Sequence, residues 1–553
     1  MIKNNTALFI FSLCGLTYLL GMFFIPLMDI DAAQYASISR EMLERKSYLQ
    51  FFDLGKDYLD KPPMLFWLSG LSMKVFGIHD WAYRLPSFLF AWIAVYSTYR
   101  LALLFYKKDI ALLSAIVLAS SQAMFLITHD VRTDTMLMGW VIFSIWQLAE
   151  WYEHKKWINF LWAFIGIAGG MMTKGPIALM VPAFALVPHF ILRREWKQFF
   201  RWEYILGLII IAVLLIPMSI GLYQQFDLHP GKLINGDPIK SGLRFYYWTQ
   251  SFGRYTGENH FKEMNDFTFL LQNMLWSFLP WIVFFLAGLV LDVVGLIQNK
   301  FKISNTQEWL SIGGFIITYI ILGRSQAQLP HYIFIVFPLA AIITAKFLYR
   351  LLFTDEIKLW RKIFTAFHVF IFVLLWIVLI VLLAYPFSSI PKYVAGLAAL
   401  CFLLFFVILF SEKIKLPKLL VISLFTIIGI NIFLSTAFYP TLLTFQKGSA
   451  FANYINQNNI NKNKVVMLGG NIGHSLSFYS QHIYPVKSSG EIVKGDLVIA
   501  KKDSLTIIQQ KFRSTVIIKQ VNSFGVTGLT LPFLNPVTRE NELEPYVLVR
   551  VMN

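Results

Sequence analysis

Apolar runs long enough to cross a bilayer recur along most of this chain, and they constrain its fold more than anything else in the sequence. A membrane helix needs about 20 mainly apolar residues. Such runs occupy roughly 7–27, 85–105, 110–128, 134–150, 157–172, 176–192, 203–222, 270–296, 308–323, 331–350, 363–385, 391–411 and 418–438, about 13 in all. Hydrophobic residues make up 57% of the 553, and charged residues 14%. Soluble domains carry about 45–50% and about 25%. The mean hydropathy is +0.60. These values predict an α-helical polytopic membrane protein. Lys3 precedes the first run and no small-residue cleavage site follows it, which reads as an uncleaved first span.

The formal net charge is +17. In a soluble protein that would suggest nucleic acid, but here the cations fall where alternate runs end. They cluster at Lys107-Lys108, His154-Lys155-Lys156, Arg193-Arg194, Lys300 with Lys302, Arg350 with Lys358, and Lys413 with Lys415. Cytoplasmic loops carry such an excess, so the pattern needs no nucleic acid and puts the N-terminus inside. The outer side then receives 28–84, 129–134, 223–269 and everything after about 440. That side is the periplasm of a bacterial inner (plasma) membrane, where there is no nucleotide pool. An enzyme there needs a donor that crosses the membrane, such as a lipid-linked one. Cys14 and Cys401 lie in apolar runs and form neither a disulfide framework nor a metal spacing.

Beyond about 440 the apolar runs shorten to VVMLG, DLVIA, STVIIKQV and YVLVRV, bounded by Gly, Asn, Asp and Lys. These read as strands, with a helix over His474–Gln481 between them. The expected division is a membrane domain over 1–440, with outer loops 28–84 and 223–269, and a small periplasmic α/β domain over 441–553. Gly469 to Gly473 does not have the spacing of a dinucleotide loop and reads as a tight turn into the helix.

Ionisable groups at a membrane edge are costly and are candidates for function. In Asp31–Tyr48, Tyr35, Ile38, Met42 and Leu43 recur at helical spacing, which predicts an amphipathic helix on the membrane surface. Asp31 at its start is either a cap or a catalytic carboxylate. Asp60-Lys61-Pro62-Pro63 opens an apolar helix. Lys61 there is a snorkelling anchor or a point charge for a lipid phosphate, and Asp60 orients it or binds a metal. Asp130, Arg132 and Asp134 share a loop too short to be a solvated domain. Their charges must pair with one another or face a cavity. Lys174 lies in an outer Thr-Lys-Gly-Pro turn. The segment RFYYWTQSFGRYTGENHF supplies rings for a membrane belt or for sugar faces. Within it, Arg254 is a phosphate candidate, and His260 with Glu258 is a partial metal set. His331 and Tyr332 can donate to an anion at another outer edge.

Together these motifs resemble a family. D-x-x-x-Y-A-x-I-x-R-E-M, D-K-P-P-x-x-F-W-L, R-L-P-S at Arg84 to Ser87, V-R-T-D, T-K-G-P and L-P-H-Y are similar to those of lipid-sugar-dependent glycosyltransferases of the GT-C class. Nearest are bacterial relatives of the dolichyl-phosphate-mannose protein mannosyltransferases, including the 4-amino-4-deoxy-L-arabinose lipid A transferases. The resemblance implies a GT-C fold. It also implies Asp31 and Asp134 as the catalytic acids, with Lys61, Arg254 and Tyr332 at the donor phosphate. Asp60, Tyr35, Arg84, Lys174 and His331 take supporting places. A divalent metal on Asp60 and His260 is a further candidate, and no other cofactor is implied. The chain departs from the family at Ala32 and Gln34, where relatives carry an acid and an arginine, and at Gln328, where they carry a lysine. These losses bear on the sugar more than on the reaction class.

The expected function is transfer of a sugar from a polyprenyl (undecaprenyl) phosphate donor to lipid A or a protein on the periplasmic side. The alternatives are a flippase for such a lipid, or an O-antigen ligase or polymerase. A flippase should carry its charges near the midplane, whereas these gather at the outer edge. The C-terminal domain is expected to cover the cleft or recruit the acceptor.

Overall fold

In the computed structural model, residues 3–552 are described apart from 235, 257, 259–265, 305–306, 355, 471 and 513. Among these residues seven helices are long and apolar enough to cross a membrane: Asn4–Phe24, Asp80–Phe105, Glu203–Asp227, Pro330–Phe353, Lys358–Ala384, Lys392–Phe410 and Lys418–Phe445. Shorter apolar helices run over Met64–Phe76, Ile177–Arg193, Ile282–Gln298 and Leu310–Gly323. Two of the expected spans are broken. The run at 110–128 divides into Lys108–Ala119 and Gln122–Ile127, and that at 270–296 into Phe269–Ser277 and Ile282–Gln298. Pro280 lies in the second break, where a proline can offer no helical N–H.

The Thr133–His154 helix packs against both Asp80–Phe105 and Trp157–Lys174. The last of these approaches closely because Gly169 and Gly170 face it. A Cβ on Gly169 would stand 2.6 Å from the Trp140 ring, and one on Gly170 3.3 Å from the Trp140 Cβ. Small residues let helix backbones meet in this way. The close approach brings Lys174, at the end of one helix, to Asp134, in the first turn of the other.

The Asp31–Arg45 helix departs from expectation. It is enclosed by protein: ten of its residues, from Ala32 to Met42, are buried. It packs between Met64–Phe76 and His474–Ser480. Tyr35 meets Phe66 edge-on at 6.1 Å. Arg40, fully buried, donates to Glu44 at 2.7 Å and to Ser477 at 2.9 Å. Its polar face is therefore satisfied by protein where lipid headgroups were expected. The αL residue Lys46 ends it.

Arg84 does not sit beside the candidate acids as a supporting group. It is fully buried and clamps four carbonyls. Its Nε donates to His129 at 2.9 Å, Nη1 to Met22 at 2.8 Å and Ile25 at 2.6 Å, and Nη2 to Pro26 at 3.0 Å. The clamp fixes the 22–26 segment relative to the 128–132 turn. Arg84→Ala is expected to cost about 3 kcal/mol, because charge-assisted bonds are strong and the carbonyls are left buried. Thermal melting in detergent measures this loss.

The C-terminal region forms a five-stranded sheet in the order 486–487, 465–468, 497–501, 544–551, 515–523. The first three strands are parallel and the last two pair antiparallel, with a bulge between Ile517 and Lys519. The expected helix is present as His474–Ser480, and it grips the first outer loop. Ser475 donates to the Asp29 carboxylate from its N–H at 2.9 Å and from its hydroxyl. Leu27 N–H donates to the Tyr479 hydroxyl at 2.7 Å. Burial raises the Asp29 carboxyl above its ordinary range, although the Ser475 bonds oppose this. Gly473 has φ 134°, and a Cβ there would stand 2.6 Å from Asp29 Oδ2. Gly473→Ala is therefore expected to loosen this helix, costing about 1–3 kcal/mol and speeding proteolysis of the C-terminal region.

Candidate active site

Asp31 is the first helical residue, after the N-cap Ile30, and its carboxylate pairs with Arg132. Arg132 also reaches Asp130, Nε to Oδ2 at 3.1 Å. Of the two partners the sequence offered Arg132, the structure takes Asp130, and it adds Asp31 in place of Asp134. Burial works against the Arg132 charge, but Asp130 and Asp31 outweigh it and hold the guanidinium's proton more tightly than usual.

Asp134 is 3% exposed. It accepts from Lys174 and has His331 Nε2 at 3.6 Å. The Lys174 ammonium also lies 3.9 Å from the centre of the Tyr332 ring, a cation–π contact. The four residues Asp134, Lys174, His331 and Tyr332, from three parts of the sequence, thus form one cluster.

Asp60 and Lys61 sit just before the Met64–Phe76 helix, with Pro63 at its N-cap. Lys61 Nζ donates to Asp60 at 2.7 Å. Gln250 donates from Nε2 to the Asp60 carbonyl at 3.1 Å and to its carboxylate. Asp60, Lys61, Lys174, Gln250 and Tyr332 line one cleft. Its other walls are apolar: Leu137, Ile177, Met180, Phe252, Ile321, Leu322 and Ile335. Such a cleft can hold an amphiphile, with an anion on the cations and a hydrocarbon chain along the apolar wall. Burial raises the Tyr35 hydroxyl well above its ordinary range, and Asp31, Asp60 and Asp134 add to this while Arg132 opposes it.

Gln250 was not anticipated. It is half-buried in an aromatic-rich segment, and nothing local distinguishes it from belt residues. The 474–480 helix also reaches toward this region: His474 Nε2 is 3.1 Å from Asp53 Oδ1, and Asp53 accepts from Gln34 at 2.6 Å. The expected phosphate contact of Arg254 concerns a side chain outside the described residues, and so does His260. Among the described residues no three His, Cys, Asp or Glu side chains group as metal ligands.

A membrane bundle with a cleft of this chemistry at one end and a small sheet domain over the adjoining loop is the GT-C architecture. Structurally the chain is ArnT-like. It superposes on ArnT from Cupriavidus metallidurans bound to undecaprenyl phosphate with a TM-score of 0.75 over 100% of this chain and 99% of that one, at 15% identity. Residues 60–220 match the sequence model of the dolichyl-phosphate-mannose-protein mannosyltransferase family. An undecaprenyl phosphate-alpha-4-amino-4-deoxy-L-arabinose arabinosyl transferase of Erwinia tasmaniensis is 26% identical over 60% of this chain and 57% of its own length. The match thus spans little more than half of that relative. An uncharacterized protein of Aquifex aeolicus is 26% identical over 85% of both chains.

Proposed function

We propose that the protein is a membrane glycosyltransferase that takes a sugar from a polyprenyl phosphate and passes it to lipid A on the periplasmic side, with a periplasmic protein as the second acceptor. The observation that carries this reading is the cleft itself. Lys61 and Lys174 line it together with many apolar side chains, a combination that suits a phosphate on an isoprenoid tail. The ArnT-like fold supports the same donor, because the solved relative holds undecaprenyl phosphate. The proposed division is a catalytic membrane domain over 1–440 and an α/β domain over 441–553. The N-terminus lies in the cytoplasm and the α/β domain in the periplasm of a bacterial inner membrane.

In this reading the donor phosphate is the leaving group. Lys61 opposes its growing negative charge, helped by Tyr332 and Arg254, and a preorganised cation of this kind lowers the barrier. Asp31 faces the sugar as positive charge develops there and, for a hydroxyl acceptor, takes its proton. Asp134, neutralised by Lys174, positions the acceptor side of the cleft.

The charges inside the bundle do not favour a flippase. Asp292 and Lys346, each in the interior of its helix, pair with one another at 2.7 Å, and neither lines the cleft. Such a pair satisfies itself and lines no path between the two faces. Mass spectrometry of lipid A and of periplasmic glycoproteins from deletion and complemented strains tests the proposal. A sugar that disappears from lipid A and returns on complementation supports it. A change confined to glycoproteins moves the acceptor to protein, and no change in either overturns it.

A further inference from the structure

Arg132 does more than neutralise its own loop. Its guanidinium spans two carboxylates from different elements, Asp130 two residues away and Asp31 on another helix. The Arg132 side chain is 23% exposed, Asp130 11% and Asp31 31%. The most open of the three is Asp31. Arg132 immediately precedes the Thr133–His154 helix, so its backbone is set by that helix's first turn. The same turn carries Asp134, and Lys174 pins Asp134 in place. The planar fork of an arginine can hold two acceptors at fixed angles, which a lysine ammonium does not do.

We propose that Arg132 is a positioning residue for the transfer reaction: it aims the Asp31 carboxylate at the reacting sugar and couples that aim to the helix that carries Asp134. The proposal rests on the glycosyltransferase reading above. Asp31 stands at the head of its helix. The Arg132 bond fixes its direction. Asp130 holds the opposite side of the guanidinium, so that Arg132 does not follow Asp31 outward. Misplacing a reacting group by about 1 Å costs on the order of 10²-fold in rate.

The test is transfer from undecaprenyl-phosphate sugar by full-length protein in proteoliposomes. Wild type is compared with Arg132→Gln, Arg132→Lys, Asp31→Asn and the Arg132→Gln/Asp31→Asn pair. Arg132→Gln is expected to lower kcat by about 10²-fold while the donor KM stays within about 3-fold. Arg132→Lys should recover about a tenth of wild-type kcat, since a single ammonium does not fix both carboxylates. In the Asp31→Asn background, Arg132→Gln should cost almost nothing further, because there is no longer a carboxylate to aim. Wild-type kcat in Arg132→Gln overturns the proposal, and so does an undiminished loss in the Asp31→Asn background. If Arg132→Gln fails to elute as folded protein, Arg132→Lys decides, and wild-type kcat in that variant overturns it. An inactive wild type contradicts the transferase reading itself.

Discussion

Replacing Lys61 with Met is expected to lower kcat/KM by about 10²–10³-fold, the usual cost of losing one preorganised charge at a developing anion. Lys61 lines the cleft and is held 2.7 Å from Asp60, with its side chain 17% exposed. Asp60 is itself held by Gln250, so the ammonium is oriented before any ligand arrives. A Met of similar length keeps the apolar contacts of the stem and removes only the charge. The loss should therefore appear without a change in melting temperature. Steady-state transfer in proteoliposomes measures it. A Met variant within about threefold of wild type would place the phosphate elsewhere in the cleft.

Asp31→Asn is expected to lower kcat by about 10²-fold or more with an acceptor hydroxyl, in line with the 10²–10⁴-fold worth of a general base. Asn keeps the shape and can still accept a bond from Arg132, so packing of the helix is retained. In the proposed reaction it removes the charge that balances the cationic sugar and the base that takes the proton. An acceptor phosphate is already anionic and needs no base. A loss well under tenfold would thus leave Asp31 orienting the reactants and would point to a phosphate acceptor. Rates measured with each acceptor separate the two cases.

The membrane character of the fold was legible because it is written locally. A run such as 391–411 can be nothing but a buried or lipid-facing helix. The breaks at Ser120-Ser121 and Leu279-Pro280 were not read, because hydropathy is nearly continuous through them. Asp31, Lys61, Lys174 and Tyr332 stood out as polar groups at apolar edges. Their partners did not. Arg132 reaches Asp31 across 101 positions of sequence, and Asp29 meets Ser475 across 446. No local pattern encodes such pairings. The protein cover over the Asp31–Arg45 helix was not read for the same reason. Its amphipathic spacing shows two faces, but the Ser477 that satisfies Arg40 lies 437 residues on. Arg84 likewise looked like a site residue because a buried arginine and a functional one read alike until its four carbonyls are seen.

The central claim is that the cleft bearing Lys61 binds a polyprenyl phosphate and releases its sugar to an acceptor. Its most direct test is purified full-length protein in proteoliposomes, supplied with radiolabelled undecaprenyl-phosphate sugar and lipid A and followed by thin-layer chromatography. The account predicts label moving to lipid A in wild type and at least 10²-fold less in Lys61→Met. Label that crosses the bilayer still attached to undecaprenyl phosphate, with none reaching an acceptor, would contradict it.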